Sequence, residues 1–133
     1  MKQSRSVLES KRYGVYTCHA DATLLDASRQ MVDEDVSCLV VITTDGYLAG
    51  IVTRFDLMRA CLHHDDWDSL PVSAVMTRDV VTVSPETTLY EVAQLLDSKG
   101  IHRVVAVREE NGRLRPISVV SASDLVYHMV HDL

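Results

Sequence analysis

Apolar and polar positions alternate in the same order along two stretches of the chain, and that order predicts the same elements twice. Leu24, Ala27 and Met31 recur at helical spacing behind Thr23, and Leu89, Val92, Ala93 and Leu96 do so behind Thr88. Thr23 with Asp26, and Thr88 with Glu91, have the spacing of an N-terminal capping box, the first in a weaker Asp form. The first helix is expected to stop near Asp35 and the second at Gly100, a good C-terminal cap residue. A short extended piece precedes each helix, at residues 15–18 and 80–83. A continuous Val-rich run follows each, at 38–42 and 104–107, as in a strand covered on both faces. Asp45-Gly46 marks a tight turn after the first run. Residues 108–112, with Asn111-Gly112 at the tip, predict a longer polar counterpart after the second. Return strands are expected at 47–52 and 114–120. Each copy then closes with a helix opened by Thr53 or Ser121 and carrying Leu57 and Met58, or Leu125 and Val126. Each copy thus reads β-α-β-β-α, and the fold class is α/β (α+β).

The duplication holds residue by residue. Thr17, Thr23, Leu24 and Asp26 align with Thr82, Thr88, Leu89 and Glu91. Gly46, Leu48, Ile51, Val52, Thr53, Asp56 and Leu57 align with Gly112, Leu114, Val119, Val120, Ser121, Asp124 and Leu125. The second copy is three residues longer, around 108–116, where a polar turn tolerates insertion. Two such units are expected to pack on each other. The organisation predicted is a lead-in at 1–14, helical around Val7 and Leu8 and ending at Gly14, then repeat 1 at 15–62. A polar linker follows at 63–71, with Trp67 or Leu70 pinned against the body, and repeat 2 occupies 72–133.

Composition narrows the function. Of the 133 residues, 47% are apolar, enough for a core, and the net charge of −6 argues against general nucleic-acid binding. No apolar run is long enough to span a bilayer, and the start lacks the apolar stretch of a secretory signal. Cys18, Cys38 and Cys61 show no metal spacing. They fit reduced thiols of a cytoplasmic protein and are expected as small buried hydrophobes.

Candidate chemistry sits at the end of each copy, where a buried strand runs straight into a helix: Gly50-Ile51-Val52-Thr53-Arg54-Phe55-Asp56 and Ser118-Val119-Val120-Ser121-Ala122-Ser123-Asp124. A helix N-terminus offers unpaired N–H groups to a phosphate, and the Thr or Ser hydroxyl can add a hydrogen bond. An ionised Asp is acceptor-only, which suits a vicinal diol such as a ribose. The same Thr-x-x-Asp and Ser-x-x-Asp spacing is also that of a plain helix cap.

These tails, with residues 75–85, Thr88-Leu89 and Gly100-Ile101-His102-Arg103-Val104-Val105-Ala106-Val107, resemble a tandem of cystathionine-β-synthase (CBS) domains, the Bateman module. The resemblance implies two repeats packed through their sheets about a pseudo-twofold axis. It implies clefts between them that bind AMP, ADP, ATP, S-adenosylmethionine or a similar adenosine compound. It places Asp56 and Asp124 on the ribose, and Thr53 and Ser121 on phosphate. Arg103 and His102 join the phosphate, and segments around Val15 to Thr17 and Val80 to Thr82 border the adenine. It further implies a homodimer and regulation without catalysis, with a protein partner acting in trans. The chain departs from the pattern in its cations: Arg54 follows Thr53 in the first copy, whereas His102-Arg103 stand in the second. The alternative reading is a ligand-free dimerisation scaffold.

Other residues carry less. His63-His64-Asp65-Asp66 lie in the linker and read as a solvated loop rather than a metal site. His128 and His131 read as a solvated helix end. The charges at Asp33, Glu34 and Asp35 read as an exposed helix end, and no nucleophile–base pair accompanies Ser121 or Ser123.

Overall fold

The computed structural model describes residues 4–10 and 14–132. In chain order the elements are α1 (Val7–Ser10), β1 (Thr17–His19), α2 (Leu24–Glu34), β2 (Cys38–Ile42), β3 (Leu48–Thr53) and α3 (Arg54–His63). Two 3₁₀ turns follow (Trp67–Ser69 and Val72–Ala74), then β4 (Thr82–Val83), α4 (Leu89–Lys99), β5 (Arg103–Glu110), β6 (Arg113–Ser121) and α5 (Ala122–His131). Among the described residues no helix is long and apolar enough to cross a membrane.

The mixed α/β class is as expected: there are two three-stranded sheets, ordered β1-β2-β3 and β4-β5-β6. In each, the first strand runs parallel to the second and the second antiparallel to the third. The middle strands are continuous apolar runs because both faces are covered: Leu39, Val40 and Val41, like Val104, Val105 and Ala106, are essentially inaccessible. Thr23 and Thr88 cap α2 and α4 by accepting from the N–H of Asp26 and Glu91. Gly100 ends α4 in the left-handed conformation at φ 61°, and Asp35 takes the same conformation after α2.

The three additional residues of the second copy do not enlarge a turn. They lengthen the hairpin: β5 and β6 stay paired from Arg103↔Ser121 out to Glu110↔Arg113, and the turn narrows to Asn111 and Gly112, both at positive φ.

The chain divides into two compact units, and the division does not follow the repeats. One unit is Tyr16–Val80; the other joins Met1–Val15 to Val81–Leu133. Residues expected as lead-in, as linker and as the start of repeat 2 explain why. Leu70 O accepts from Leu24 N–H, Val72 N–H donates to Ala22 O, and Val72 is fully buried in the core of Leu24, Met31, Leu39 and Val52. In the other unit Arg5 O accepts from Leu89 N–H, Val7 N–H donates to Thr87 O, and Val7 is buried among Leu89, Val92, Val104 and Leu125. Val7 and Val72 stand 65 positions apart, the offset of the repeat itself. Each repeat is therefore plugged by the segment that precedes the other one. An Arg5 Nη2–Asp132 Oδ1 ion pair at 3.0 Å fastens the N-terminal plug. The lead-in helix ends at Ser10; its expected continuation to Gly14 falls partly on residues 11–13, outside the described set.

Trp67 packs against the first core, as expected for an anchor. Cys18 behaves as the small buried hydrophobe expected, and burial pushes its thiol up to about 11. Cys61 does not: it is exposed on α3, because its helix position faces away from the sheet, and Cys38 is half-buried. His128 also corrects the expectation of a solvated helix end. It is 6% exposed, on the face of α5 that carries Leu125, with the Tyr127 ring edge-on at 5.2 Å.

Candidate functional site

Both tails fold as the spacing dictates. Thr53 is extended (φ −114°, ψ 162°), which aims its side chain back over the first turn of α3. Its Oγ1 accepts from Asp56 N–H at 3.3 Å, while Asp56 Oδ2 accepts from Thr53 N–H at 2.8 Å and from Thr53 Oγ1–H at 3.0 Å. Ser121 (φ −112°, ψ 168°) and Asp124 repeat the arrangement at 3.4, 2.8 and 3.1 Å. The capping arrangement is thus realised twice. It limits what else these groups do. The hydroxyl proton is committed to the carboxylate, so a phosphate gains that donor only by breaking the box. The helix N-terminus is also less open than its sequence implies. Arg54 N–H donates to Ser37 O and Ala122 N–H to His102 O, both at 3.0 Å, and the N–H groups of Asp56 and Asp124 serve the caps. Among the described residues, the N–H groups of Phe55 and Ser123 are the ones left unpaired in the first three positions. Each Asp keeps Oδ1 outside the box, at a half-buried position, as an acceptor for a diol.

The box makes a prediction. Thr53→Ala should lower unfolding free energy by about 0.5–2 kcal/mol, read as a shift of the urea midpoint with unchanged slope. An unchanged midpoint would mean the cap carries no stability.

The remaining candidates separate. Arg103, half-buried at the start of β5, is the cross-strand partner of Ser121, so their side chains leave the sheet on one face. Arg103, Ser121 and Asp124 therefore come together within one unit. Among the described residues Arg103 makes no ion pair. In the first copy the cross-strand partner of Thr53 is Cys38, and the cation is the exposed Arg54 one position on. His102 is exposed and meets the tail through its carbonyl. Thr17 opens β1, and its carbonyl accepts from Gln30 Nε2 at 2.9 Å, a contact that sequence reasoning missed. Leu95 stands in place of Gln30 in the second copy, 65 positions on, and there Thr82 lines a cavity of about 580 Å³ with Ser84, Thr87, Glu91 and Ser98. Arg103, Ser121 and Asp124 do not line it, so Thr82 is not brought to the tail by that cavity. Val15 and Val80 are half-buried and lie outside the strands, in different units. His63, His64, Asp65 and Asp66 are exposed, and among the described residues no three His, Cys, Asp or Glu side chains are grouped to hold a metal.

Gly50, within the first tail, has a geometric role as well. Its backbone is crossed by the chain at residues 76–77: a Cβ on Gly50 would lie 2.6 Å from Thr77 O and 3.0 Å from Met76 Sδ. This contact lets Ile51 and Thr77 exchange two hydrogen bonds of 2.9 Å each.

Comparison with known proteins agrees with this architecture. The family model described as "CBS domain" matches twice, at residues 10–63 and 72–131. The chain is 30% identical over 120 residues to the CBS domain-containing protein CBSX3, mitochondrial, of Arabidopsis thaliana; the match covers 86% of this chain and 56% of that one. An uncharacterized conserved protein from Pyrococcus horikoshii has a similar fold, with a TM-score of 0.81 and 27% identity over 97% of this chain and 95% of the other. The CBS domain pair of protein MJ0100, solved with 5′-methylthioadenosine and S-adenosyl-L-methionine, shares the fold at a TM-score of 0.82 and 20% identity, covering 96% and 98%. The first three curated relatives are longer, and the chain spans 28–65% of their lengths. With two family matches falling on two copies of one β-α-β-β-α unit, the chain belongs to the CBS domain family and is a pair of CBS domains.

Proposed function

We propose that this chain is a regulatory module that binds an adenosine compound (AMP, ADP, ATP or S-adenosylmethionine) and has no catalysis of its own. The observation that carries the reading is the grouping of Arg103, Ser121 and Asp124 at one strand end. A cation with no ion-pair partner suits the anionic or polar end of such a ligand, and the unused carboxylate oxygen of Asp124 suits a ribose diol. Asp56 offers the same oxygen in the first copy, with Arg54 as the cation. The fold is one that accommodates adenosine compounds in protein MJ0100.

Signalling follows if the ligand prefers one arrangement of the pair over another, since only differential affinity shifts a conformational equilibrium. A homodimer is part of the proposal. Phe55, Met58 and Leu62 on α3, and Val126, Met129 and Val130 on α5, leave large apolar side chains at least half exposed, as a partner copy would cover. The protein is placed in the cytoplasm, with its output read by a protein partner in trans.

Calorimetric titration with AMP, ATP and S-adenosylmethionine tests the ligand. Saturable heat below millimolar concentration is expected for at least one, and silence from all three at millimolar concentration leaves the scaffold reading, in which the boxes serve only as caps. Native mass spectrometry of the purified protein should show a dimer and reports any nucleotide that copurifies.

A further inference from the structure

The two copies complete the same sheet edge differently. β1 and β4 are edge strands, each paired on one side only. Val40 N–H donates to Tyr16 O, and Val105 N–H donates to Val81 O. Val40 and Val105 are thus the bonded members of the parallel pairs Thr17↔Val40 and Thr82↔Val105. The carbonyls of Thr17 and Thr82 therefore face outward along the edge and need partners from elsewhere. In the first copy the partner is internal: Gln30 Nε2–H, from α2, donates to Thr17 O at 2.9 Å. The matching position on α4 is Leu95, whose side chain has no donor. Among the described residues nothing pairs with Thr82 O.

In place of that bond the second copy has the cavity of about 580 Å³ bounded by β4 and α4, with Thr82 and Leu95 in its wall. The wall is rich in acceptors. Glu91 Oε1 accepts from Thr88 Oγ1–H, which leaves Oε2 outside the bond. Ser98 Oγ–H donates to Leu95 O at 3.4 Å, so its oxygen is left to accept. Ser84 Oγ and Thr87 Oγ1 lie 3.2 Å apart and share one proton between them. No Lys, Arg or His side chain lines the cavity.

We infer that this cavity binds a small organic cation bearing N–H donors, an alkylammonium or guanidinium group, which gives Thr82 O the hydrogen bond that Gln30 gives Thr17 O. The volume is that of a small-molecule site. The Glu91 carboxylate favours a cation over a neutral amide and repels an anion. Arg103, Ser121 and Asp124 do not line the cavity, so the inference does not depend on the nucleotide reading. It makes the second copy's edge a separate site, which the first copy fills with its own side chain.

Amide NMR spectra of the full chain, titrated with agmatine, test this. Agmatine carries a guanidinium and an ammonium group. Saturable shifts at Thr82, Glu91 and Ser98 are expected at millimolar concentration, with or without saturating AMP. Tetramethylammonium has the charge and no donor, and should bind about tenfold more weakly. Leu95→Gln supplies the first copy's internal donor and should also weaken agmatine about tenfold. Glu91→Gln keeps an acceptor for Thr88 Oγ1–H and removes the charge, so it should weaken agmatine roughly threefold while the helix start stays intact. Absent shifts, shifts centred elsewhere, equal binding of tetramethylammonium, or unchanged affinity in both variants would overturn the inference and leave the nucleotide reading standing. Displacement of agmatine by AMP would overturn the separateness of the two sites.

Discussion

Replacing Val7 by Asp should unfold the second repeat and leave the first largely intact, although Val7 precedes the first repeat in the chain. Val7 is 2% exposed in the core formed by Leu89, Val92, Val104 and Leu125. Losing its burial costs about 1.5–3 kcal/mol, and a carboxylate left there adds a desolvation penalty of at least similar size, so the plug undocks. Undocking also breaks three main-chain bonds, Val7 N–H to Thr87 O, Leu8 N–H to Pro85 O and Leu89 N–H to Arg5 O, and leaves Leu89 open to water. The expected total is about 3 kcal/mol or more, a large share of the stability of a small domain. Exchange measured residue by residue checks the location. Protection should fall across α4 and β5 and persist in β2, whose plug is Val72. Loss in β2 instead would contradict the exchanged arrangement of plugs.

Asp124→Ala should weaken adenosine-compound binding by roughly 10- to 150-fold, the equivalent of about 1.5–3 kcal/mol for hydrogen bonds to a charged group. The same change removes the reciprocal half of a capping box, so a stability loss of about 0.5–2 kcal/mol accompanies it. The two effects are separable. Asp124→Asn keeps an acceptor oxygen for the Ser121 N–H and drops the charge, so it should recover most of the stability and little of the affinity. Calorimetry at a temperature well below both variants' melting points reads binding without interference from unfolding. Unaltered affinity in Asp124→Ala would remove this carboxylate from the ribose.

What the sequence revealed follows from what its signals report. Periodicity reports which face of an element is buried, and it located α2, α4, α3 and α5 because those helices bury one face within their own repeat, while β2 was legible as a continuous apolar run covered on both faces. The Thr53–Asp56 and Ser121–Asp124 spacings were legible as boxes because a cap is made by residues three apart. The sequence was weakest where contacts run to distant parts of the chain. Val72 read as the start of repeat 2, because nothing local shows that it enters a core assembled from residues 18–60. The matching offset of Val7 and Val72 was present to be found, but a single valine in a charged segment is a faint signal. Arg103 was read as a phosphate contact by resemblance, and its pairing with Ser121 became visible only through the strand register. Gly50 is legible as part of the tail but its packing role is not, since nothing local announces that Thr77 crosses it. The longer second hairpin was misjudged because three added polar residues look alike in a loop and in a solvent-exposed ladder.

The exchanged plugs also set an order of events at the ribosome. Val7 is made well before Leu125, which completes its site, so the segment around Val7 must wait, unplaced, until the second repeat has been synthesised. The first repeat closes sooner, once Val72 is out, and is the half able to mature while translation continues.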